Sequence, residues 1–264
     1  MNKPNDLVPR SALRLVITGA SSGLGQALAR HYLQQGAQIA VCARRADLLE
    51  SLAQQFPEQV YCYVVDVRDG AAMQAAAHDF MARVGVPDIV IANAGVSVGA
   101  LTEHAEDMDV FRQVMDTNVL GMVQTFQPFL AAMRDAGQGR LVGIASVAGF
   151  RGLPGSGAYS ASKAAAISYL ESLRVELRSS GVKVVTVCPG YIKTPMTDIN
   201  PYPMPFILDA DDAAQRIARV IVCGRSFAVV PWQIALAGRM LKLLPNCVYD
   251  FLFSKAPHKP RGLI

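Results

Sequence analysis

A glycine-rich segment close to the start of the chain constrains its fold more than any other feature. The segment reads Thr18-Gly19-Ala20-Ser21-Ser22-Gly23-Leu24-Gly25 and lies between an apolar run, residues 13–17, and a stretch with helical spacing, residues 26–33. It therefore predicts a turn from a strand into a helix. Glycines allow such a turn to be tight, and the free amides and dipole of the helix N-terminus favour a closely approaching pyrophosphate.

The remainder of the chain alternates strands and helices. Apolar runs predict strands at residues 13–18, 38–43, 60–66, 89–92, 140–146, 182–188 and 227–230. Helical spacing predicts helices at residues 23–35, 46–56, 71–84, 107–133 and 158–179. Continuous apolar strands that alternate with helices are typical of a parallel sheet buried on both faces. Right-handed crossovers then give an α/β fold of the Rossmann type, a doubly wound sheet of seven parallel strands with helices on both faces.

Length and composition favour one domain over the whole chain, residues 1–264, without an internal repeat or a linker. Hydrophobic residues make up 52% and charged residues 17%, which is typical of a globular enzyme and excludes a disordered chain. The one shift in composition is an irregular stretch with four prolines, residues 195–205. In this architecture such a loop lies beyond the carboxyl ends of the strands, where ligands bind.

Cysteine and histidine usage points away from disulfides and metal sites. The five cysteines are scattered without a CxxC pair, which favours a reducing compartment. The four histidines lack the spacing of metal ligands, so no metal is expected. Residues 1–11 lack the apolar core of a secretory signal, and no stretch reaches the roughly 18 apolar residues of a membrane span. We therefore expect a cytoplasmic protein, with peripheral contact to a membrane as an alternative.

Three side chains in the middle of the chain form a candidate catalytic group. Tyr159 and Lys163 are four residues apart on a predicted helix and so share one face. An ammonium beside a phenol favours the phenolate, so we expect Lys163 to lower the pKa of Tyr159 from its ordinary value of about 10. Tyr159 would then serve as a general acid or base near neutral pH. Ser146 ends the preceding strand, where its hydroxyl would bond to a substrate carbonyl.

Taken together, these features resemble the short-chain dehydrogenase/reductase family in its single-domain form, over roughly residues 14–196. The matching positions are Thr18 to Gly25 for the TGxxxGxG pattern, Asn93-Ala94-Gly95 for the NAG motif, Asn118 for the active-site asparagine, Ser146 for the serine, Tyr159 and Lys163 for the YxxxK pair, and Pro189-Gly190 with Thr194 after the sixth strand. No position departs from the family's pattern.

The resemblance implies an oxidoreductase that moves hydride between a nicotinamide and a carbonyl carbon. Tyr159 would donate the proton to the carbonyl oxygen during reduction, and Ser146 would orient and polarise the carbonyl. Lys163 would lower the pKa of Tyr159 and hold the nicotinamide ribose. Asn118 would hold a water that connects Lys163 to bulk solvent. Because the family usually forms dimers or tetramers, we expect a homodimer or homotetramer.

A set of residues at the turns after the strands is expected to bind the cofactor. Within it, the resemblance implies that Asp66 contacts the adenine amino group. The full set is Gly19, Ser21, Ser22, Gly23, Leu24, Gly25, Arg44, Arg45, Asp66, Val67, Asn93, Ala94, Gly95, Tyr159, Lys163, Pro189, Gly190, Ile192 and Thr194.

The end of the second predicted strand bears on the choice between NAD and NADP. NAD sites usually place an acidic residue there for the ribose hydroxyls, whereas this chain has Ala43 followed by Arg44 and Arg45. A planar guanidinium matches a phosphate, and the acid that would repel a 2′-phosphate is missing. We therefore expect NADP(H). The alternative is that both arginines are solvated charges at the start of a helix.

The residues around the expected substrate site are mostly apolar. The family's variable lid corresponds to about residues 191–210. Its apolar side chains are Ile192, Met196, Ile199, Tyr202, Met204, Phe206 and Ile207. Those that follow Ser146 are Val147, Phe150, Leu153 and Pro154. Such a lining fits a hydrophobic ketone or alcohol better than a sugar or a charged acid, although ordinary loop packing would give the same pattern.

An apolar C-terminal extension, about residues 232–264, goes beyond the shared core of the family. Its helical spacing is compatible with packing on a partner subunit or on the core, with a cover over the substrate mouth, or with a membrane surface. Five basic residues against one acid, Asp250, give it a net charge of +4, too little for a nucleic-acid surface. The basic residues are Arg239, Lys242, Lys255, Lys259 and Arg261. The pattern resembles that of lipid-directed reductases in the family.

Three functional interpretations follow from the sequence. The leading one is an NADPH-dependent carbonyl reductase for a hydrophobic, lipid-like ketone. The second is an NAD(P)-dependent alcohol or steroid-type dehydrogenase, since the sequence does not set the direction of the reaction. The third is a regulatory protein that senses NADPH without turnover, and the presence of both Tyr159 and Lys163 argues against it.

Overall fold

Seven parallel strands form one sheet in the computed structural model, which describes residues 12–254 and 259–262. The strands are β1 (Arg14–Thr18), β2 (Gln38–Ala43), β3 (Val60–Val64), β4 (Ile89–Ala92), β5 (Gly139–Ile144), β6 (Val182–Pro189) and β7 (Phe227–Val230). Their order is β3-β2-β1-β4-β5-β6-β7, and every neighbouring pair is parallel. The predicted sheet is confirmed. The expectations that concern residues 1–11 and Lys255 lie outside the described residues.

Ten helices accompany the sheet in the described part of the chain. They are α1 (Gly23–Leu33), α2 (Ala46–Gln55), α3 (Gly70–Arg83), α4 (Asp107–Met115), α5 (Gly121–Asp135), α6 (Gly157–Glu176), α7 (Pro195–Asp198), α8 (Ala210–Val222), α9 (Trp232–Leu243) and α10 (Asn246–Phe253). Buried side chains of α1, α2 and α8 form the core on one face of the sheet. Those of α3, α5 and α6 form the core on the other face. The fold is therefore the doubly wound Rossmann type that the alternating pattern predicts.

The position of β1 creates a crevice at one edge of the sheet. β1 lies between β2 and β4, so the chain first builds outward to β3 and then returns to add β4 to β7 on the other side. The loops after β1 and β4 consequently leave in opposite directions from neighbouring strands. Doubly wound folds bind their ligands in this crevice, beyond the carboxyl ends of the strands.

Two helical regions differ from the sequence prediction. Residues 107–133 were expected to form one helix, but a π-helical turn, Asp116–Leu120, separates α4 from α5. Such turns often mark functional sites, and this one carries Asn118. The sequence prediction also missed α8, although its buried residues repeat with helical spacing.

The two C-terminal helices pack against the segment that follows β5. Arg151 Nη1 donates to the carbonyl oxygens of Leu241 at 3.0 Å and Leu244 at 2.8 Å, and its guanidinium lies 4.3 Å from the centre of the Tyr249 ring. The opposite side exposes large apolar side chains, namely Trp232, Leu236, Met240, Leu243, Phe251 and Leu252. Among the described residues, no helix combines the length and the apolarity that crossing a bilayer requires.

Candidate active site

The glycine-rich turn connects β1 to α1, as the sequence predicts, and its glycines are required by close approaches. Gly19 has φ +68°, and a Cβ there would lie 2.8 Å from the Cα of Ala94. A Cβ on Gly25 would overlap the carbonyl oxygen of Gly19. The turn therefore leaves no room for side chains at these two positions, and its backbone lies open to a ligand.

Asn93 and Thr18 tie this turn to the loop that follows β4. Asn93 Nδ2 donates to the carbonyl oxygens of Thr18 at 3.1 Å and Gly19 at 3.2 Å. The backbone amides of Asn93 and Ala94 donate to Thr18 Oγ1 at 3.2 and 3.3 Å. These bonds join the two loops that border the crevice, so the NAG motif holds the turn in place from the side.

Arg45 reaches back onto the glycine-rich turn. Its Nη2 donates to Ser21 Oγ at 2.9 Å and to Ser22 Oγ at 2.7 Å. Arg44 is exposed directly after β2, one residue earlier. A guanidinium thus lies beside the first turn of α1, where an anion would meet both the arginine and the helix N-terminus.

Asp66 and Val67 follow β3 on the same side of the crevice. The Asp66 carboxylate pairs with Arg68 Nη2 at 2.7 Å, and hydrogen bonds from Arg68, with a smaller contribution from the charge of Arg44, lower the pKa of that carboxyl. Val67 is buried against Gly121 at the start of α5. Both residues lie at the edge of the sheet where the sequence places them.

The loop after β6 returns over the glycine-rich turn. Pro189 ends β6, and the amide of Gly190 donates to the carbonyl oxygen of Val230 at 2.8 Å. Farther along the loop, Thr194 lies so close to Gly23 that a Cβ on this glycine would be 2.9 Å from Thr194 Cγ2. The predicted cofactor residues of the glycine-rich turn and of this loop therefore meet across the crevice.

The candidate catalytic residues converge at the carboxyl edge of β5. Ser146 follows this strand and is 8% exposed, and its Oγ accepts a hydrogen bond from the Ala148 amide at 3.1 Å. Tyr159 lies in the first turn of α6, partly buried. Lys163 lies one turn later and is 4% exposed, with its Nζ 5.8 Å from the centre of the Tyr159 ring.

The pKa of Tyr159 differs from the sequence prediction. Lys163 was expected to lower it, but burial raises the pKa of Tyr159, and only Ser146 acts in the opposite direction to lower it. The reason is the direction of the lysine, whose Nζ donates to the carbonyl oxygen of Ile144 at 2.9 Å. In this structure the phenol is therefore a protonated acid.

Burial also acts on Lys163 itself. It lowers the pKa of the Lys163 ammonium to about 8, while the neighbouring Cys188 thiol, at the end of β6, acts to raise it. Burial thus makes this ammonium easier to deprotonate than that of an exposed lysine. The neighbouring Cys188 thiol is buried as well, and burial raises its pKa to about 12.

Asn118 connects two parts of the site. One is the loop that follows β4 and carries the NAG motif, which we call the NAG loop, and the other is α6, which carries Tyr159 and Lys163. It is 1% exposed, its Oδ1 accepts from the Val96 amide at 2.8 Å, and its Nδ2 donates to the Val96 carbonyl oxygen and to Ser162 Oγ, both at 2.9 Å. A Cβ on Gly95 would lie 3.1 Å from Asn118 Oδ1 and 3.5 Å from Lys163 Nζ. Gly95 therefore preserves the space between the asparagine and the lysine.

The lid, which the sequence places at about residues 191–210, is closed at its base by backbone hydrogen bonds. The Lys193 amide donates to the Leu208 carbonyl oxygen at 2.9 Å, and the Leu208 amide donates to the Tyr191 carbonyl oxygen at 3.0 Å. Between them, α7 begins with a capping box in which the Thr194 amide donates to Thr197 Oγ1 at 3.0 Å.

Aromatic side chains of the lid lie near Tyr159. The rings of Tyr191 and Tyr202 meet edge to face with centroids 6.5 Å apart. Burial raises the pKa of Tyr202, and the nearby phenols of Tyr191 and Tyr159 raise it further. Ile192 of the lid is buried, whereas Met196 and Phe206 are exposed. Tyr202 is therefore the lid side chain that the structure places near Tyr159.

One expected lining residue has another role. Phe150 was placed by sequence beside the substrate, but its ring stacks on Phe227 with centroids 6.2 Å apart, and a Cβ on Gly238 would lie 2.6 Å from it. Phe150 therefore packs against α9 and β7, and its place beside the substrate stays a prediction.

Sequence reasoning missed the contacts of three residues, of which Ser162 and Lys259 lie beside the site and Arg151 holds the C-terminal helices. Ser162 had a detectable signal, because it lies on the catalytic helix directly before Lys163. Arg151 and Lys259 had none, since their contacts join residues far apart in the chain. Lys259 Nζ, for example, donates to Ser97 Oγ across 162 residues.

The chain is similar to a known protein family over most of its length. The family model described as short chain dehydrogenase matches residues 14–201. An uncharacterized oxidoreductase of Myxococcus xanthus (strain DK1622) is 40% identical over 238 residues, which make up 89% of this chain and 94% of that protein.

Solved structures share the fold. A short-chain dehydrogenase from Streptomyces avermitilis is 27% identical, with a TM-score of 0.79 over 93% of this chain and 98% of the other. Proteins from Burkholderia phymatum, in complex with NAD, and Burkholderia cenocepacia J2315, in complex with NADP, each have a TM-score of 0.80 at 24% identity. They cover 96% and 94% of this chain, respectively, and 99% of their own. Both cofactors therefore occur on this fold.

Proposed function

The chain belongs to the short chain dehydrogenase family, and from that premise we propose that it is an NADPH-dependent reductase of apolar ketones. The observation that carries the proposal is the convergence of Ser146, Tyr159 and Lys163 at the carboxyl edge of β5. A hydroxyl, a phenol and an ammonium are the groups needed to hold a carbonyl oxygen and to deliver a proton to it.

Tyr159 is the proton donor in this proposal. Its phenol carries a proton at neutral pH and can donate it to a carbonyl oxygen, although the burial that raises its pKa makes it a weaker acid than a free phenol. Ser146, which interacts with the phenol, donates to the same oxygen and holds the carbonyl in place. A nicotinamide, when bound, would supply the hydride to the carbonyl carbon. Lys163, whose ammonium has a pKa of about 8, returns a proton to the oxygen of Tyr159 after each turnover.

The described residues fit a dinucleotide with a 2′-phosphate. The cradle formed by Gly19 and Gly25 would be filled by any side chain, and it lies at the N-terminus of α1, which suits a pyrophosphate. Arg45, held by the Ser21 and Ser22 hydroxyls, supplies a guanidinium beside that turn. Arginine binds phosphate through paired donors, so we assign the preference for NADPH to this residue, with Arg44 beside it.

Removal of the Arg45 guanidinium directly tests the assigned preference for NADPH over NADH. Arg45→Ala should raise the KM for NADPH about tenfold to a hundredfold, because a charge-assisted contact to the 2′-phosphate is lost, while the KM for NADH changes little. Arg83→Ala is the matched control, because it removes an exposed arginine of α3 that pairs with Asp79 and belongs to no predicted cofactor contact. Turnover of the wild-type protein with NADH alone would overturn the assignment.

The lid supports an apolar substrate. Ile192 is buried in it, and Tyr191 and Tyr202 lie near Tyr159, so a ketone that reaches the phenol passes aromatic and aliphatic surface. Transfer of such a ligand from water to this surface is favourable in proportion to its apolar area. We therefore expect kcat/KM to rise with the chain length or ring content of the ketone.

The decisive experiment measures NADPH consumption against ketones graded by chain length and ring content, for wild type and Tyr159→Phe. Loss of the phenol proton should lower kcat by about 10²- to 10⁴-fold and leave the Kd for NADPH nearly unchanged. Binding of NADPH without reduction of any ketone or oxidation of any alcohol would contradict the proposal and favour a protein that only senses the cofactor.

A further inference from the structure

A short C-terminal segment, residues 259–261, runs alongside the loop that follows β4. The Gly99 amide donates to the Pro260 carbonyl oxygen at 3.1 Å, and Gly99 pairs in parallel with Arg261. Arg261 in turn binds the Asp107 carboxylate with two donors, Nε at 2.9 Å and Nη2 at 3.1 Å. We call residues 259–261 the tail strand. These contacts fix it against the entrance of α4.

The tail strand buries one charged side chain. Lys259 is 6% exposed, and its Nζ donates to Ser97 Oγ at 3.1 Å and to the Met196 carbonyl oxygen at 3.2 Å. Both partners are neutral, and the described residues offer no carboxylate within ion-pair distance of this ammonium. Burial lowers the pKa of Lys259 to about 8.

The position of this ammonium connects it to the candidate active site. Ser97 is two residues beyond Gly95, which lies against Asn118 and Lys163. Met196 is in α7, two residues beyond Thr194, which lies over Gly23 of the glycine-rich turn. Lys259 therefore stands between the NAG loop and the lid, the two walls of the site.

Burial of a cation among neutral partners costs free energy unless an anion balances its charge. An ammonium has three N–H donors, and two of those of Lys259 are accounted for by Ser97 and Met196. A carboxylate that enters between the NAG loop and the lid would accept the third donor and balance the charge. A charge-assisted bond of this kind is about twice as strong as a neutral one.

We propose that Lys259 is a specificity-determining residue that binds a carboxylate carried by the ketone substrate. The inference rests on the proposed function and refines it, because the substrate then has an apolar body for the lid and an acidic end for Lys259. It also changes the expectation from sequence that a charged acid fits the site poorly. That expectation considered the apolar lid without the tail strand.

The test compares two ketones that differ only in charge, a medium-chain oxo acid and its methyl ester. For the wild type, kcat/KM for the acid should exceed that for the ester by about tenfold to a hundredfold. Lys259→Met, which keeps the length of the side chain and removes the charge, should bring this ratio to about one. Lys242→Met removes an exposed lysine of α9 and should leave the ratio as in the wild type.

A second variant leaves the lysine in place and moves the tail strand. A Cβ on Gly99 would overlap the carbonyl oxygens of Lys259 and Pro260, so Gly99→Ala should displace the strand and lower the ratio in the same direction. Equal kcat/KM for acid and ester in the wild type would overturn the inference. So would a Lys259→Met variant that loses activity equally on both ketones, as a purely structural bond between loop and lid predicts.

Calorimetric titration separates this inference from the proposed function. If neither ketone is reduced, the proposed function fails, but binding of the acid and the ester to wild type and Lys259→Met in the presence of NADPH still decides the role of the lysine. Tighter binding of the acid by the wild type alone supports the carboxylate site. Equal binding of acid and ester overturns it.

Discussion

The catalytic helix and the tail strand each bring a buried lysine to the same site, and they hold it in different ways. Lys163 of α6 and Lys259 of the tail strand both donate to a backbone carbonyl oxygen, and burial lowers the pKa of each to about 8. Lys163 is fixed by a long helix packed on the sheet. The tail strand that carries Lys259 is held by one backbone pairing at Gly99 and by the pairs of Arg261 with Asp107 and Glu106.

Two lysines whose pKa values are lowered alike are thus held by elements of different stability. The backbone that carries Lys163 moves away only if α6 unfolds, and helices packed in a core open among the last parts of a fold. A lysine on the tail strand leaves when a few surface contacts open locally. The helix is therefore suited to chemistry that must occur in every turnover, and the strand to the selection of one substrate over another.

The largest expected effect tests whether Lys163 and Lys259 have different roles. Lys163→Met should lower kcat by about 10²- to 10⁴-fold for acid and ester ketones alike, since the proton path to Tyr159 is lost for both. Steady-state kinetics on the two ketones measures this. Lys259→Met serves as the comparison variant, and a Lys163→Met enzyme that loses only the preference for the acid would contradict the assigned roles.

A smaller effect is expected when the support of the tail strand is weakened. Arg261→Gln removes the two-donor pair with Asp107 and the exposed pair with Glu106 but keeps the backbone pairing at Gly99, so the preference for the acid should fall about three- to tenfold. The ratio of kcat/KM for acid and ester measures the change. Arg112→Gln removes an exposed pair with Asp109 on α4 and should have no such effect. An unchanged ratio in Arg261→Gln would show that the pair does not hold Lys259 in place.

The smallest expected effect is a dependence of stability on pH. The pKa of Lys259 is about 8 in the folded state and near its ordinary 10.5 in the unfolded state, so the unfolded chain binds more protons between these values. The destabilising contribution of this lysine is thus fully present below pH 8 and is relieved as the pH rises towards 10.5. Its direct partners, Ser97 and Met196, do not titrate, and the nearby Asp107 is paired with Arg261.

Chemical denaturation of wild type and Lys259→Met at about pH 7.5 and pH 9.5 checks this dependence. The free energy of unfolding of the wild type should increase relative to that of the variant at the higher pH. Lys163 is common to both proteins, so its similar contribution cancels. A difference between the two proteins that stays constant with pH would contradict the lowered pKa.

Much of the fold and of the site was predictable because the signals are local. The strand, glycine turn and helix around Gly19 follow from adjacent residues, and the spacing of Tyr159 and Lys163 places them on one helix face. The structure adds what depends on distant parts of the chain. The π-helical turn at Asn118 follows from packing against the NAG loop, and no periodicity in the sequence indicates it.

Two further differences between the sequence prediction and the structure also arise from contacts between distant parts of the chain. Burial raises the pKa of Tyr159, and Lys163, which the sequence predicts to lower it, bonds instead to Ile144 in a tertiary contact across 19 residues. The site at Lys259 requires the chain to return to a loop it left 162 residues earlier. Helical and strand periodicity describe neighbours within a few residues, so neither contact was accessible to sequence reasoning.

The double contact of Lys259 also has a consequence for the timing of the reaction cycle. One ammonium holds Ser97 in the NAG loop and Met196 in the lid, and the second partner lies 63 residues away in the chain. Any outward movement of α7 must therefore break that hydrogen bond or carry the tail strand with it. Opening of loops is often slower than chemistry in enzymes that release product through a lid. Release of product past α7 would then require this bond to break or the tail strand to move, and neither event involves a group at the reacting carbonyl.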